Sequence, residues 1–136
     1  MVSFVRSFGL HRPERTPCGF AAGVADAHAL SELAGGPIRQ SELVARLGLT
    51  KSTVSRLVEG LVDRGWAERD SVSDDGRGVM VRLTPAGREA ADRLAAARAR
   101  RMVALLDAVP AERRAEVIEV LALLKEAARA SDARHA

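Results

Sequence analysis

Lys51, Ser52, Ser55 and Arg56 stand close together in the segment Gln40 to Gly65, QSELVARLGLTKSTVSRLVEGLVDRG, and all are residue types that bind nucleic acid. The same stretch places Val54, Leu57, Val58 and Leu61 at i, i+3, i+4 and i+7, the spacing of a helix face turned to a core. On one helix, the cations and short hydroxyls then take the other side near the N-terminus, the end that enters a DNA major groove. Arg56 is the candidate for reading a base: a guanidinium spans guanine O6 and N7, which gives about 1–3 kcal/mol of discrimination. Lys51, Ser52 and Ser55 suit phosphates or base edges, with Thr53 at the margin of the same face. Thr50 precedes the helix as its N-cap, worth roughly 1 kcal/mol, and the free amides beside it suit a phosphate. Glu59 and Asp63 occupy the far end, so only the first two turns are expected in the groove. The competing reading is an ordinary solvated face, and the concentration of polarity at one end argues against it.

Two further groups carry chemistry. Arg77, in the turn Ser73-Asp74-Asp75-Gly76-Arg77-Gly78, suits the narrow minor groove of an A·T tract, which attracts a guanidinium. Asp75 is expected to pair with Arg77 or to brace the turn. His11, Cys18 and His28 are soft enough for zinc or copper, and Cys18 alone suits an oxidation switch. Their spacings of seven and ten residues match no tight metal motif. Metal sensing, thiol sensing and the absence of a sensing role therefore all stay open, and no cofactor is expected. No glycine-rich phosphate loop or nucleophile elbow is present, so the chain does not read as an enzyme.

These residues need a scaffold. Residues 2–10 read as a short helix with Phe4 and Phe8 at i, i+4, and residues 11–19, with two prolines and a glycine, as a loop. Val24 to Leu33 reads as a helix with Ala25, His28, Ala29 and Leu33 as its stripe, ended by Gly35-Gly36-Pro37. The helix-turn-helix follows, with its turn at Gly48 and a left-handed cap at Gly65. Trp66 to Val72 and the alternating Val79 to Leu83 read as two strands of a wing with a glycine-rich tip, and Trp66 is expected in the core. Thr84-Pro85 opens a helix to about Asp107, and Pro110 opens a last one. Leu94, Met102, Leu105 and Leu106 on the first of these, with Leu121 and Leu124 on the second, give more apolar surface than one chain covers. They suit a helical dimer interface, joined by Phe4 and Phe8.

The bulk properties set bounds. The chain has 136 residues, 47% hydrophobic and 29% charged, enough for one globular domain with a real core. No apolar run reaches the roughly 18 residues of a membrane span. The N-terminal stretch does not resemble a signal peptide, so a cytoplasmic location is expected. A single cysteine excludes an intrachain disulfide framework. The net charge of +3 permits a nucleic-acid partner, yet residues 39–82 hold eight Arg/Lys against seven Asp/Glu. DNA binding is therefore argued from where the charges sit.

At LGLTKSTVSRLVEGLVDRGW, and again at D-G-R-G-V-M-V-R-L-T-P-A-G from Asp75 to Gly87, the chain resembles the MarR family of multiple-antibiotic-resistance-type regulators. The second piece is the more specific: a wing Asp-x-Arg followed by V-x-L-T-x-x-G. The resemblance runs over roughly residues 22–130 and implies a homodimer on palindromic DNA, usually a repressor, tuned by a small ligand, oxidant or metal. It implies dimerisation through the first and last helices and wings that reach the minor groove. Three features depart from the family: a short N-terminal helix, Val44 where alanine is usual, and Arg39 in place of a threonine cap.

The expected fold is mostly α with a small β-hairpin wing, an α+β winged helix-turn-helix with flanking dimerisation helices. Residues 1–20 form a short helix and loop in the dimer region, 21–87 the DNA-binding region, and 88–136 the C-terminal helical dimerisation region. The expected partners are double-stranded DNA, a second copy and a small-molecule effector, with no membrane. The alternative is a metal- or redox-sensing regulator using His11, Cys18 and His28.

Overall fold

The computed structural model describes residues 2–71 and 78–132. The elements are α1 (Val2–Phe8), α2 (Val24–Leu33), β1 (Ile38–Arg39), α3 (Gln40–Leu47), α4 (Lys51–Asp63), β2 (Ala67–Ser71), β3 (Val79–Leu83), α5 (Pro85–Asp107) and α6 (Arg114–Asp132), with a 3₁₀ turn at Ala111–Arg113. Residues 1–99 form one compact unit and residues 100–136 another. Among the described residues no helix is long and apolar enough to cross a membrane.

In the first unit the apolar stripe of α4 decides the packing. Val54, Leu57, Val58 and Leu61 are all buried, together with Leu43 of α3, Leu30 and Leu33 of α2, Val81 and Leu83 of β3, and Ala90, Ala91 and Leu94 of α5. Each fully buried leucine of this set contributes about 1.5–3 kcal/mol relative to exposure. Both helices of the helix-turn-helix stop in the same way. After α3, Gly48 at φ +63° lets its N–H donate to Ala45 O and Leu49 N–H to Val44 O. After α4, Gly65 at φ +70° lets its N–H donate to Val62 O and Trp66 N–H to Leu61 O. These paired bonds satisfy the last carbonyls, and glycine takes the left-handed angle at little cost.

The wing hairpin pairs β2 with β3 antiparallel, from Ala67 opposite Leu83 to Ser71 opposite Val79. A third strand, β1, pairs with the other edge of β3 through Ile38 opposite Val81. Two residues are too short to show an alternating pattern, which is why this strand is absent from the sequence reading. The stripe expected on α2 also needs correction. Ala25 and His28 are exposed, while Ala27, Ala29, Leu30 and Leu33 are buried. Alanine occurs on several faces of VADAHALSEL, so the bulk of Leu30 and Leu33 decides the buried side. Trp66 is half-buried against the core rather than inside it, its ring 6.1 Å from that of Phe20.

One junction binds these elements together. Thr84 Oγ accepts from Gly87 N–H at 3.0 Å, capping α5, and donates to Gly65 O at 2.6 Å. Thr84 N–H donates to Trp66 O at 3.1 Å. The backbones meet so closely that a Cβ on Gly87 would lie 1.8 Å from Trp66 O. In the second unit, Arg114 donates from Nε to Val109 O and from a terminal nitrogen to Asp107 O, which satisfies carbonyls at the end of α5.

Gly87→Ala should therefore destabilise the chain by about 1–3 kcal/mol or more, because backbone rather than a flexible side chain opposes the methyl. Gly60→Ala, within α4 and facing open space, should instead stabilise it by about 0.5–1 kcal/mol. Urea unfolding of both variants measures the contrast, and equal effects would show that the junction is not tight.

Candidate nucleic-acid interface

The face of α4 opposite its core stripe begins at a well-formed cap. Thr50 Oγ accepts from Thr53 N–H at 3.2 Å and lies within hydrogen-bond distance of the Ser52 and Thr53 hydroxyls, at 3.1 and 2.8 Å. Lys51, Ser52 and Arg56 are exposed, and Thr53 and Ser55 are half-buried beside them. The six candidates from Thr50 to Arg56 thus share the first two turns of one helix. Glu59 and Asp63 are exposed further along α4. Asp75 and Arg77 lie outside the described residues.

Neighbouring elements extend this surface. Arg39, Gln40 and Ser41 at the start of α3 line a shallow cavity of about 240 Å³ with Lys51, Gly78 and Val79. Among the described residues its charged lining is Arg39 and Lys51, without a carboxylate. Arg39 makes no side-chain cap bond to α3, as its place in the sequence suggests. The first amides of α3 are therefore not satisfied by a cap side chain, and such amides favour anionic oxygen. The sequence reading treats Arg39 only as a weak cap, because its nearness to Lys51 depends on the angle between α3 and α4. Arg69 of β2 carries no local signal either: its guanidinium donates to Ser55 O at 2.9 Å and ties the wing to α4.

Exposed ion pairs link α2 to α3 and to the end of α4. Arg46 of α3 meets Glu42 at 2.6 Å and Glu32 of α2 at 3.1 Å. Those hydrogen bonds, that of Glu42 first, hold the Arg46 pKa above its ordinary value. At the end of α4, Arg64 pairs with Asp26 of α2 at 3.2 Å and lies 5.1 Å from the Trp66 ring centre.

The remaining candidates separate. His11 and His28 are exposed, and half-buried Cys18 donates to Thr16 Oγ at 3.4 Å. Among the described residues no group of three His, Cys, Asp or Glu side chains is placed to hold a metal ion. His11, Cys18 and His28 therefore do not form the constellation that their residue types suggest. Leu94, grouped in the sequence with dimerisation residues, is 1% exposed and belongs to the core of the first unit. Phe4 is exposed and stacks on half-buried Phe8, ring centres 5.6 Å apart. In the second unit Met102, Leu121 and Leu124 are exposed, and Leu105 and Leu106 are half-buried.

Residues 23–78 match the model of the MarR family. The chain is 33% identical over 88 residues to YdgJ of Bacillus subtilis, an uncharacterised helix-turn-helix-type transcriptional regulator; the match covers 65% of this chain and 54% of that protein. It is 38% identical over 53 residues to YhjH of the same organism, also an uncharacterised helix-turn-helix-type transcriptional regulator, covering 39% of this chain and 30% of that one. The matched segments thus span a third to about half of these relatives' own lengths. Among solved structures, the PcaV transcriptional regulator of Streptomyces coelicolor superposes with a TM-score of 0.67 at 27% identity, covering 79% of this chain and 80% of that one.

The cap at Thr50 predicts its own mutational signature. Thr50→Ala should cost about 1 kcal/mol in unfolding free energy and Thr50→Ser much less. Urea midpoints give the comparison, and a Thr50→Ala midpoint equal to that of the parent would mean that the hydroxyl does not support α4.

Proposed function

The chain is a MarR-family winged-helix protein, and from that premise we propose that it regulates transcription as a homodimer on a palindromic operator, most simply as a repressor. The single observation that supports this reading best is the two-sided α4. Its inner side is fully committed to the core, and its outer side presents Lys51, Ser52 and Arg56 around an intact cap. In this reading Arg56 reads a base edge, Lys51 and the hydroxyls of Thr50, Ser52, Thr53 and Ser55 hold phosphates or base edges, and Asp75 and Arg77 serve the minor groove. Arg39 and the start of α3 add a phosphate contact beside Lys51. Residues 21–87 are the DNA-binding region, and the protein acts in the cytoplasm without enzymatic activity.

Apolar surface supports the dimer. Ile118, Val120, Leu121, Leu123 and Leu124 of α6 are all exposed. Residues 118 and 121 lie on one side of the helix and residues 120, 123 and 124 on the other, and a helix apolar on several sides is normally covered. A second copy is the proposed cover, through residues 88–136 with Met102, Leu105, Leu106, Leu121 and Leu124, and through Phe4 and Phe8 of the 1–20 segment. Two copies also explain how a domain of low net charge binds tightly: two recognition helices about one DNA turn apart double the contacts.

Selection of bound duplexes from a random pool should return a palindrome whose half-sites lie about one helical turn apart. On that operator Arg56→Ala should relax preference at one position of each half-site by about 1–3 kcal/mol. Lys51→Ala should weaken all sequences alike and lower the salt dependence by about one ion for each phosphate that the lysine neutralises. Recovery of no motif, with binding to any duplex that only salt controls, rejects the sequence-reading role of Arg56. Sedimentation should show a dimer, and Leu121→Glu with Leu124→Glu should give a folded monomer. A parent chain that sediments as a monomer rejects the dimer.

A further inference from the structure

Away from the DNA-reading face, the N-terminal segment gathers Arg6, Arg12 and Arg15, with Glu14 facing the adjoining cavity. The end of α1 and the loop after it enclose a cavity of about 320 Å³ whose charged lining is Arg6, Arg12 and Arg15, with His11 beside them. Among the described residues no carboxylate lines it. Several arginines elsewhere lean on acids: Arg46 on Glu32 and Glu42, Arg64 on Asp26, Arg82 on Glu68 and Asp70. Arg6, Arg12 and Arg15 form no ion pair with a described residue. The side-chain bond that Arg12 makes runs from its Nε to the imidazole Nε2 of His11 at 3.4 Å.

Three guanidiniums around one small space repel one another, and that repulsion is relieved by solvent or by an anion placed among them. The walls do not depend on such a guest. Thr16, buried at 7% exposure, donates from Oγ to Phe20 O at 2.8 Å and accepts from Cys18 Sγ, which fixes the turn at the cavity's base. Phe8, stacked on Phe4, supplies an apolar side. The volume lies at the lower end of small-molecule sites, about 300–1,000 Å³. Guanidinium forks match the paired oxygens of carboxylate and phosphate, and several of them favour a ligand with more than one such group.

We propose that this cavity is a binding site for a small organic polyanion carrying two or more carboxylate or phosphate groups, separate from the surface that meets DNA. Arg15 also lines the adjoining cavity of about 350 Å³, which reaches Phe20 and Arg64, the residue that ends α4. A bound anion therefore sits one cavity away from the C-terminus of the recognition helix. The binding stands on this geometry alone, and only its regulatory consequence rests on the proposed function.

Titration calorimetry on the full chain, without DNA and at constant ionic strength, tests it with citrate and with pyrophosphate as probes. At least one probe should bind once per chain. Its affinity should fall by about tenfold or more in Arg12→Gln with Arg15→Gln and stay unchanged in Arg56→Ala. The two probes separate a polycarboxylate from a polyphosphate site. If the double variant fails to unfold cooperatively, Arg6→Gln on exposed α1 makes the same comparison with a smaller loss. Absence of binding by both probes overturns the proposal. So does an affinity lost in Arg56→Ala but kept in the cavity variants, since the anion would then be occupying the DNA face. Operator selection on the same samples is scored independently: an operator bound without an anion site removes this proposal alone, and an anion site without an operator removes the regulator reading alone.

Discussion

The Thr84 hydroxyl is the point on which the first unit depends. It serves two helices at once, as acceptor for the first turn of α5 and as donor to the Gly65 carbonyl just past the end of α4. The wing hairpin leaves the chain between these two residues and returns there, with Ala67 and Leu83 pairing at its base. The end of α4, the root of the wing and the start of α5 are consequently one piece of backbone geometry. The cost is a complete loss of room at Gly87, where the Trp66 carbonyl occupies the place of a side chain. Hydrogen bonds to a hydroxyl are individually worth only about 0.5–1.5 kcal/mol. Their influence here comes from where they fall, at the one place that three elements share.

Charge in this protein is a matter of placement. Residues 39–82 are close to neutral, and three of their seven acids, Glu42, Glu68 and Asp70, are paired with arginine. Glu32 and Glu42 meet Arg46, Asp26 meets Arg64, and Glu68 with Asp70 meets Arg82. These are exposed pairs, each worth little for stability. They cancel charge on the flanks of the domain, while Lys51, Arg56 and Arg39 near the start of α4 pair with no described acid. The same sorting leaves Arg6, Arg12 and Arg15 without an ion pair to a described residue around the N-terminal cavity.

Much of this was legible in the residues, for identifiable reasons. The stripe of α4 is long, regular and made of large side chains, so its period survives intact in the buried set Val54, Leu57, Val58 and Leu61. Caps and stops were equally plain, because Thr50, Thr84, Gly48 and Gly65 each answer a local backbone need. The three-residue spacing between Thr84 and Gly87, visible as a motif, acquires its cause only in space. What escaped the sequence depends on distance along the chain or on weak local signal. β1 has two residues. α2 is alanine-rich, so its buried side follows from Leu30 and Leu33 and not from a stripe through His28. The closeness of Arg39 to Lys51, and of Arg69 to Ser55, comes from helix and strand angles that no spacing encodes. His11, Cys18 and His28 are the converse case, residue types soft enough for a metal that the described fold does not gather into one group.

The bond from Arg69 to the Ser55 carbonyl has one more implication. It crosses from the wing strand to the middle of α4, well away from the junction at Thr84. Two attachments at separate points remove the freedom to swivel that either alone would leave. The helix and the strand beside it then behave as a single rigid body, so a signal that reaches this part of the molecule cannot be expressed by tilting one against the other. It has to reposition both together, as a lever does, with the bending taken up elsewhere in the chain.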